Sequence, residues 1–230
     1  MSTTKLNNHF IEEDPWRIFR IMSEFVDGFE TLSKVHSRAI CIFGSAVLPP
    51  KHKYCKLAEQ TAYKLAKMGY TIITGGGPAV MESANKGACR AGGQSVGLNI
   101  IIPSEQRPNP YLTLSLEFKY FFVRKVMFAK YAKAFIVFPG GFGTLDELTE
   151  GMTLIQTERV NPFPIILVGK NYWDGLLKWM QNTLVKEKTI NSKDLNIIKT
   201  VDTVDEIISV IKNMRQWLNL DVDLLVYLPI

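Results

Sequence analysis

Histidine and cysteine are scarce in this chain. Its 230 residues hold only His9, His36 and His52 and Cys41, Cys55 and Cys89. With so few of them and no short Cys/His spacing anywhere, neither a zinc site nor a Cys–His nucleophile pair is expected, and no metal is predicted. Cys41 falls inside the apolar run AICIF, so the thiols read as reduced and packed. No apolar run approaches the roughly 20 residues that cross a bilayer. The opening MSTTKLNNHFIEEDPW has no apolar centre of the kind a signal peptide needs. A cytoplasmic protein without a membrane partner is expected. The chain also lacks a GxxxxGKS/T phosphate loop, and counting from Gly141 and Gly143 a dinucleotide fingerprint would need glycine where Asp146 stands. Both gaps argue against ATP hydrolysis and NAD chemistry. The net charge of +5 is modest and suits a small anion as well as nucleic acid.

Short apolar, β-branched runs alternate with longer amphipathic ones. They are AICIF (39–43), YTIIT (70–74), SVGLNII (95–101), AFIVF (134–138), PIILV (164–168) and a weaker NIIKTV (196–201). Strands apolar on both faces and separated by helical patterns indicate a parallel sheet covered by helices. The fold class is therefore α/β: a doubly wound, Rossmann-like, mostly parallel sheet with helices on both faces. With 47% hydrophobic residues and no linker or repeat, residues 1–230 are expected to form a single domain. An extra helix is predicted over about 15–34, and a C-terminal helix precedes the apolar tail LDVDLLVYLPI.

Open parallel sheets bind ligands beyond the carboxyl ends of their strands. Four predicted strands end there in unusual sequence: GSA (44–46), GGGP (75–78), PSEQRPNPY (103–111) and PGGFGT (139–144). Glycines between a strand and a helix let backbone N–H groups approach an anion. They also occur in plain tight turns. Pro78 suits a first helical position. Thr144-x-x-Glu147 matches a capping box, but a carboxylate beside a phosphate-binding backbone repels the ligand unless it has other work, such as bonding sugar hydroxyls. Asp146 and Glu150 suit a helix start on charge alone. In FKYFFVRKVMFAKYAKA (118–134), Lys119, Lys130 and Lys133 cluster on one helical face while Arg124 falls among Tyr120, Phe121, Phe128 and Tyr131. An inward guanidinium needs a carboxylate or phosphate partner, either in a structural ion pair or in a site.

GGGPAVMESANKGA (75–88), FFVRKVMFAKYAKAFIVFPGGFGTLDELTE (121–150) and TLIQT (153–157) resemble the LONELY GUY-type phosphoribohydrolases, a group filed under the label of a lysine decarboxylase family. The likeness runs from about Trp16 to Trp179. It implies hydrolysis of the N-glycosidic bond of a nucleoside 5′-monophosphate, AMP-like or cytokinin-type, to free base and ribose 5-phosphate. It also implies no cofactor and a homodimer or higher homo-oligomer. By resemblance the catalytic pair is Arg124 and Glu147, and Gly140, Gly141, Gly143 and Thr144 hold the phosphate. Further substrate contacts are implied for Gly44, Ser45, Gly76, Gly77, Glu82, Glu105 and Lys125. The chain departs from the family's pattern at Val47 and Ala79, where relatives usually carry arginine and glycine. Two other classes remain to be weighed. One is a non-catalytic carrier of a nucleotide or cofactor on the same fold. The other is a nucleic-acid-binding module, which the single lysine-bearing helix supports poorly, so no nucleic acid is expected.

Overall fold

The computed structural model describes residues 16–35, 38–102 and 107–213. The tail LDVDLLVYLPI lies outside them, as does Glu105. Seven strands form one parallel sheet: β1 (Ala39–Phe43), β2 (Thr71–Thr74), β3 (Ser95–Ile100), β4 (Leu114–Phe118), β5 (Ala132–Val137), β6 (Ile165–Val168) and β7 (Ile198–Val201). Among the described residues, seven α-helices connect or flank them: α1 (Arg17–Ser33), α2 (Lys53–Lys67), α3 (Val80–Arg90), α4 (Phe121–Tyr131), α5 (Phe142–Gln156), α6 (Lys170–Trp179) and α7 (Val204–Lys212). The strand order is β4-β3-β2-β1-β5-β6-β7. The chain winds outward from β1 to β4, crosses back to β5 beside β1 and then winds the other way, so the switch point lies between β1 and β5.

The alternation of side chains along each strand divides the core between two faces. In β1, Ile40 and Ile42 pack under α2, α3 and α7, while Ala39, Cys41 and Phe43 pack under α1, α4, α5 and α6. The foreseen extra helix is α1. It crosses α4 so closely that a Cβ on Gly28 would sit 2.8 Å from Met127 Cε. The Glu24 carboxylate accepts the N–H groups of Lys119 (2.9 Å) and Tyr120 (3.2 Å), satisfying donors at the start of α4.

Several expectations are corrected. LSLEF forms β4, an edge strand that was not foreseen. The helix expected over 118–134 is shorter, because Ala132 is already extended and pairs with Ala39 in the sheet. Lys119 therefore precedes α4 and Lys133 lies in β5, and the lysine face dissolves. Pro78 is not the first helical residue: α3 starts at Val80, with Ala79 before it.

Candidate active site

The switch point is laced together by backbone. Phe138 N–H donates to Phe43 O (2.8 Å), Ser45 N–H to Pro139 O (3.0 Å) and Val80 N–H to Ser45 O (3.2 Å). These bonds draw the ends of β1 and β5 and the start of α3 onto one rim. Gly140 is wedged there: a Cβ would fall 2.1 Å from Thr144 Oγ1 and 2.8 Å from Ser45 N. Beyond it the chain opens. Gly141 and Gly143 have nothing within 4 Å of a Cβ position, and Phe142 is 90% exposed. Thr144 N–H donates back to Gly141 O (3.0 Å), while the first two N–H groups of α5, those of Phe142 and Gly143, precede the helical ladder, so this end of α5 is a bare, positively polarised backbone surface.

The Thr144 capping box is not formed. Helix α5 starts at Phe142, its N-cap is Gly141, and no side chain caps it. Thr144 is thus the third helical residue and is buried, and Glu147 turns into the protein with 4% exposure. Asp146 and Glu150 do not simply favour the helix start either. Both reach Lys125 Nζ, at 2.8 and 2.9 Å. Burial alone would lower the Lys125 pKa, but these two carboxylates outweigh it and raise it.

Glu147 meets Arg124. Arg124 Nη2 lies 3.8 Å from Glu147 Oε1, with side-chain exposures of 13% and 6%. The guanidinium carbon also sits over the Phe121 and Phe128 rings, at 5.3 and 5.6 Å from their centroids. Arg124 is thus inward among aromatics, as its spacing predicted. The contact is a charge pairing without a hydrogen bond, and among the described residues neither Arg124 Nε nor Glu147 Oε1, both buried, has a hydrogen-bond partner. Such atoms are costly to leave unmatched. Burial pushes the Glu147 carboxyl up to about 7 against the pull of Arg124 and Lys125, and burial lowers the pKa of Arg124. The Cys41 thiol beneath is raised by burial and then by the nearby Glu147 charge, so it is an inert thiol.

The second glycine loop is a different object. Gly76 N–H donates to Thr74 Oγ1 (2.9 Å). Asn109 Nδ2 donates to the carbonyls of Gly76 and Gly77 at 3.0 and 3.2 Å. Part of this loop is therefore an internally bonded turn. It still borders the site, because a Cβ on Gly75 would lie 3.8 Å from Arg124 Nη1.

The structure thus brings Gly44, Ser45, Gly76, Gly77, Gly140, Gly141, Gly143, Thr144, Arg124 and Glu147 to the rim. Lys125 faces the α5 carboxylates. Glu82 sits in the first turn of α3, near enough to raise the pKa of Cys55 after burial has done so, and makes no hydrogen bond or ion pair with Arg124 or Glu147. Val47 is 88% exposed, its N–H on Ser45 Oγ. Sequence reading missed two residues. Asn109 follows a proline in a loop, where it reads as turn chemistry. Tyr172, whose hydroxyl donates to Gly140 O at 2.8 Å, lies in a stretch with no motif at all. Among the described residues, no group of three or more His, Cys, Asp or Glu could hold a metal ion.

The family described as "Possible lysine decarboxylase" matches residues 81–211, more than half of the chain. The chain belongs to that family, of the LONELY GUY type. The match spans α3 to α7 and so contains Arg124, the glycine loop before α5 and Glu147. Among curated proteins, a cytokinin riboside 5′-monophosphate phosphoribohydrolase of Arabidopsis thaliana is 28% identical over 185 residues, 78% of this chain and 84% of that protein. One of the same name from Mycobacterium marinum is 28% identical over 168 residues, 70% of this chain and 87% of that protein. Among solved structures, a molybdenum cofactor binding protein of Rippkaea orientalis superposes with a TM-score of 0.58 at 22% identity, covering 79% of this chain and 99% of that one. At that identity the likeness shows a shared fold and nothing more.

Proposed function

We propose that this protein hydrolyses the N-glycosidic bond of nucleoside 5′-monophosphates, giving free base and ribose 5-phosphate. The observation that carries the reading is the largely buried Arg124–Glu147 pair, 3.8 Å apart and each with a polar atom unmatched among the described residues, set beside a bare helix start. A helix start with exposed glycines suits a phosphate, and a carboxylate within the same helix suits the sugar attached to it. The names of the curated relatives support the same reaction.

Cleaving C1′–N passes through an oxocarbenium-like transition state, as glycoside hydrolysis does. The bonding pair leaves with the base nitrogen, which takes a proton from solvent. Water forms the new C1′–O bond and gives a proton to Glu147. With its pKa raised to about 7, Glu147 can both stabilise the cationic sugar and accept that proton near neutral pH. Arg124 binds the ribose or phosphate and restrains the carboxylate, and the glycine loop holds the phosphate so that remote binding assists the reacting centre. The decarboxylase label fits poorly. A Schiff-base lysine needs a lowered pKa, and Lys125, between Asp146 and Glu150, has a raised one.

We further propose a homodimer. Ile18, Phe19, Met22 and Val26 on α1 and Phe121, Phe122 and Val126 on α4 are exposed, an apolar face that a second copy of the chain would cover. Among the described residues no helix is long and apolar enough to cross a membrane, and the proposed substrate suits a cytoplasmic protein.

The test is a panel of AMP, GMP, IMP, CMP, UMP and isopentenyl-AMP, assayed for free base and ribose 5-phosphate. Release of both from at least one nucleotide is expected. Tight nucleotide binding with no release from any of them would replace the hydrolase reading with a carrier.

A further inference from the structure

We propose that Tyr172 is a positioning residue for the phosphate cradle: by holding the Gly140 carbonyl it fixes the Gly140–Gly141 peptide so that the Gly141 N–H faces the open space before α5. The proposal rests on the function proposed above, since it assigns the anion bound there to the 5′-phosphate of the substrate.

Tyr172 Oη donates to Gly140 O at 2.8 Å, joining the first turn of α6 to the loop between β5 and α5. The chain has no cis peptide bonds among the described residues. In a planar trans peptide the carbonyl and the N–H point to opposite sides. Gly140 C=O and Gly141 N–H belong to the same peptide unit, so whatever holds the first aims the second. A Gly–Gly peptide has no side chains of its own to restrain its rotation. Turned over, it would present a carbonyl, and so a negative dipole, to an incoming phosphate. Thr144 Oγ1 and Ser45 N crowd the Gly140 Cα but do not hold its carbonyl. Tyr172 does.

The phenol is mounted to do this. Tyr172 N–H donates to Gly169 O (2.9 Å), and Gly169 N–H donates to Val201 O (2.8 Å) on the edge strand. The ring packs edge-on against Trp173, with centroids 4.9 Å apart and planes at 82°. Trp173 is buried, and its indole N–H donates to Val168 O at 3.1 Å. The hydroxyl therefore extends from a well-anchored corner onto the Gly140–Gly141 peptide of the loop. A hydrogen bond from a half-exposed tyrosine adds little to stability, so what the bond orients matters more than what it stabilises.

The test measures binding of ribose 5-phosphate, AMP and adenosine to the whole protein by calorimetry, for wild type, Tyr172→Phe and Tyr172→Ala, with melting temperatures alongside. Tyr172→Phe removes only the hydroxyl. It is expected to weaken ribose 5-phosphate and AMP about fivefold, the effect of one ordinary hydrogen bond, while adenosine and the melting temperature stay as in wild type. Tyr172→Ala should add little further loss. Phosphorylated ligands binding to Tyr172→Phe as they do to wild type would overturn the proposal. So would equal weakening of AMP and adenosine, which marks a general structural role. Failure of wild type to bind ribose 5-phosphate removes the cradle and the proposal with it. A wild type that binds ribose 5-phosphate but cleaves no nucleotide defeats the hydrolase reading alone, because ribose 5-phosphate, a product of the proposed reaction, is bound without turnover.

Discussion

At the scale of single residues, Glu147 is a carboxylate that the fold makes costly to ionise. Its pKa rises from 4.5 to about 7 because burial outweighs the attraction of Arg124. A raised carboxyl contributes stability that is fully present below its unfolded value and is lost as pH climbs through its folded value, here between about 4.5 and 7. The cost above that window is on the order of 3 kcal/mol. Wild type should therefore lose stability relative to Glu147→Gln between pH 5 and 8 when both are unfolded in urea, and parallel curves would contradict the assignment. The same proton sets the activity. Turnover should rise with pH through about 7 as the carboxylate forms, and a rate independent of pH from 5 to 9 would show that Glu147 does not accept the proton. The position of Arg124 was legible from helical spacing, because an arginine among Phe121 and Phe128 has to find a charge. The role of Glu147 was not, because Thr-x-x-Glu has the letters of a capping box. The structure removes the capping box, because the helix starts at Phe142 rather than after Thr144.

At the scale of elements, strands buried on both faces announced themselves as continuous apolar runs. β4 did not, because its outer face is exposed and it reads as the weaker alternation LSLEF. The start of β5 was misread as helix, because α4 passes into the strand without an intervening loop. Helix α3 carries the clearest local strain. Ala79, just before it, has φ 58° and ψ −112°, the geometry of the first central residue of a type II′ turn, where glycine is usual. The bond from Val80 N–H to Ser45 O holds the chain in that shape. Replacing Ala79 by Gly should relieve strain of 1–3 kcal/mol against an entropy cost of about 0.5–1 kcal/mol, a net gain of about 1 kcal/mol in chemical denaturation. A destabilised Ala79→Gly would mean that the Ala79 methyl packs well enough to repay its backbone. The loops after β1, β2 and β5 meet as expected, and of the fourth only residues 107–111 are described, but the internal bonding of GGGP was hidden, because Asn109 and Thr74 reach it from other elements.

At the scale of the whole molecule, the switch point between β1 and β5 explains why chemistry gathers where it does: neighbouring loops there diverge to opposite faces of the sheet and leave a crevice. The α1 and α4 apolar face lies on the side that carries Arg124. If a second copy covers it, wild type should sediment at about twice the chain mass of 26.0 kDa, and Val26→Asp should shift it to monomer. A monomeric wild type, or a variant that still pairs, would place the interface elsewhere. The central claim is that a buried arginine and glutamate beside a bare helix start cleave a nucleotide. The most direct measurement is ribose 5-phosphate released from the best nucleotide by wild type and by Glu147→Gln at pH 7.5. The account predicts release by wild type and a loss of about a thousandfold in the variant, the scale of removing a positioned acid–base group, with ribose 5-phosphate still bound. Equal release by the two proteins would return Glu147 to a structural role and contradict the account.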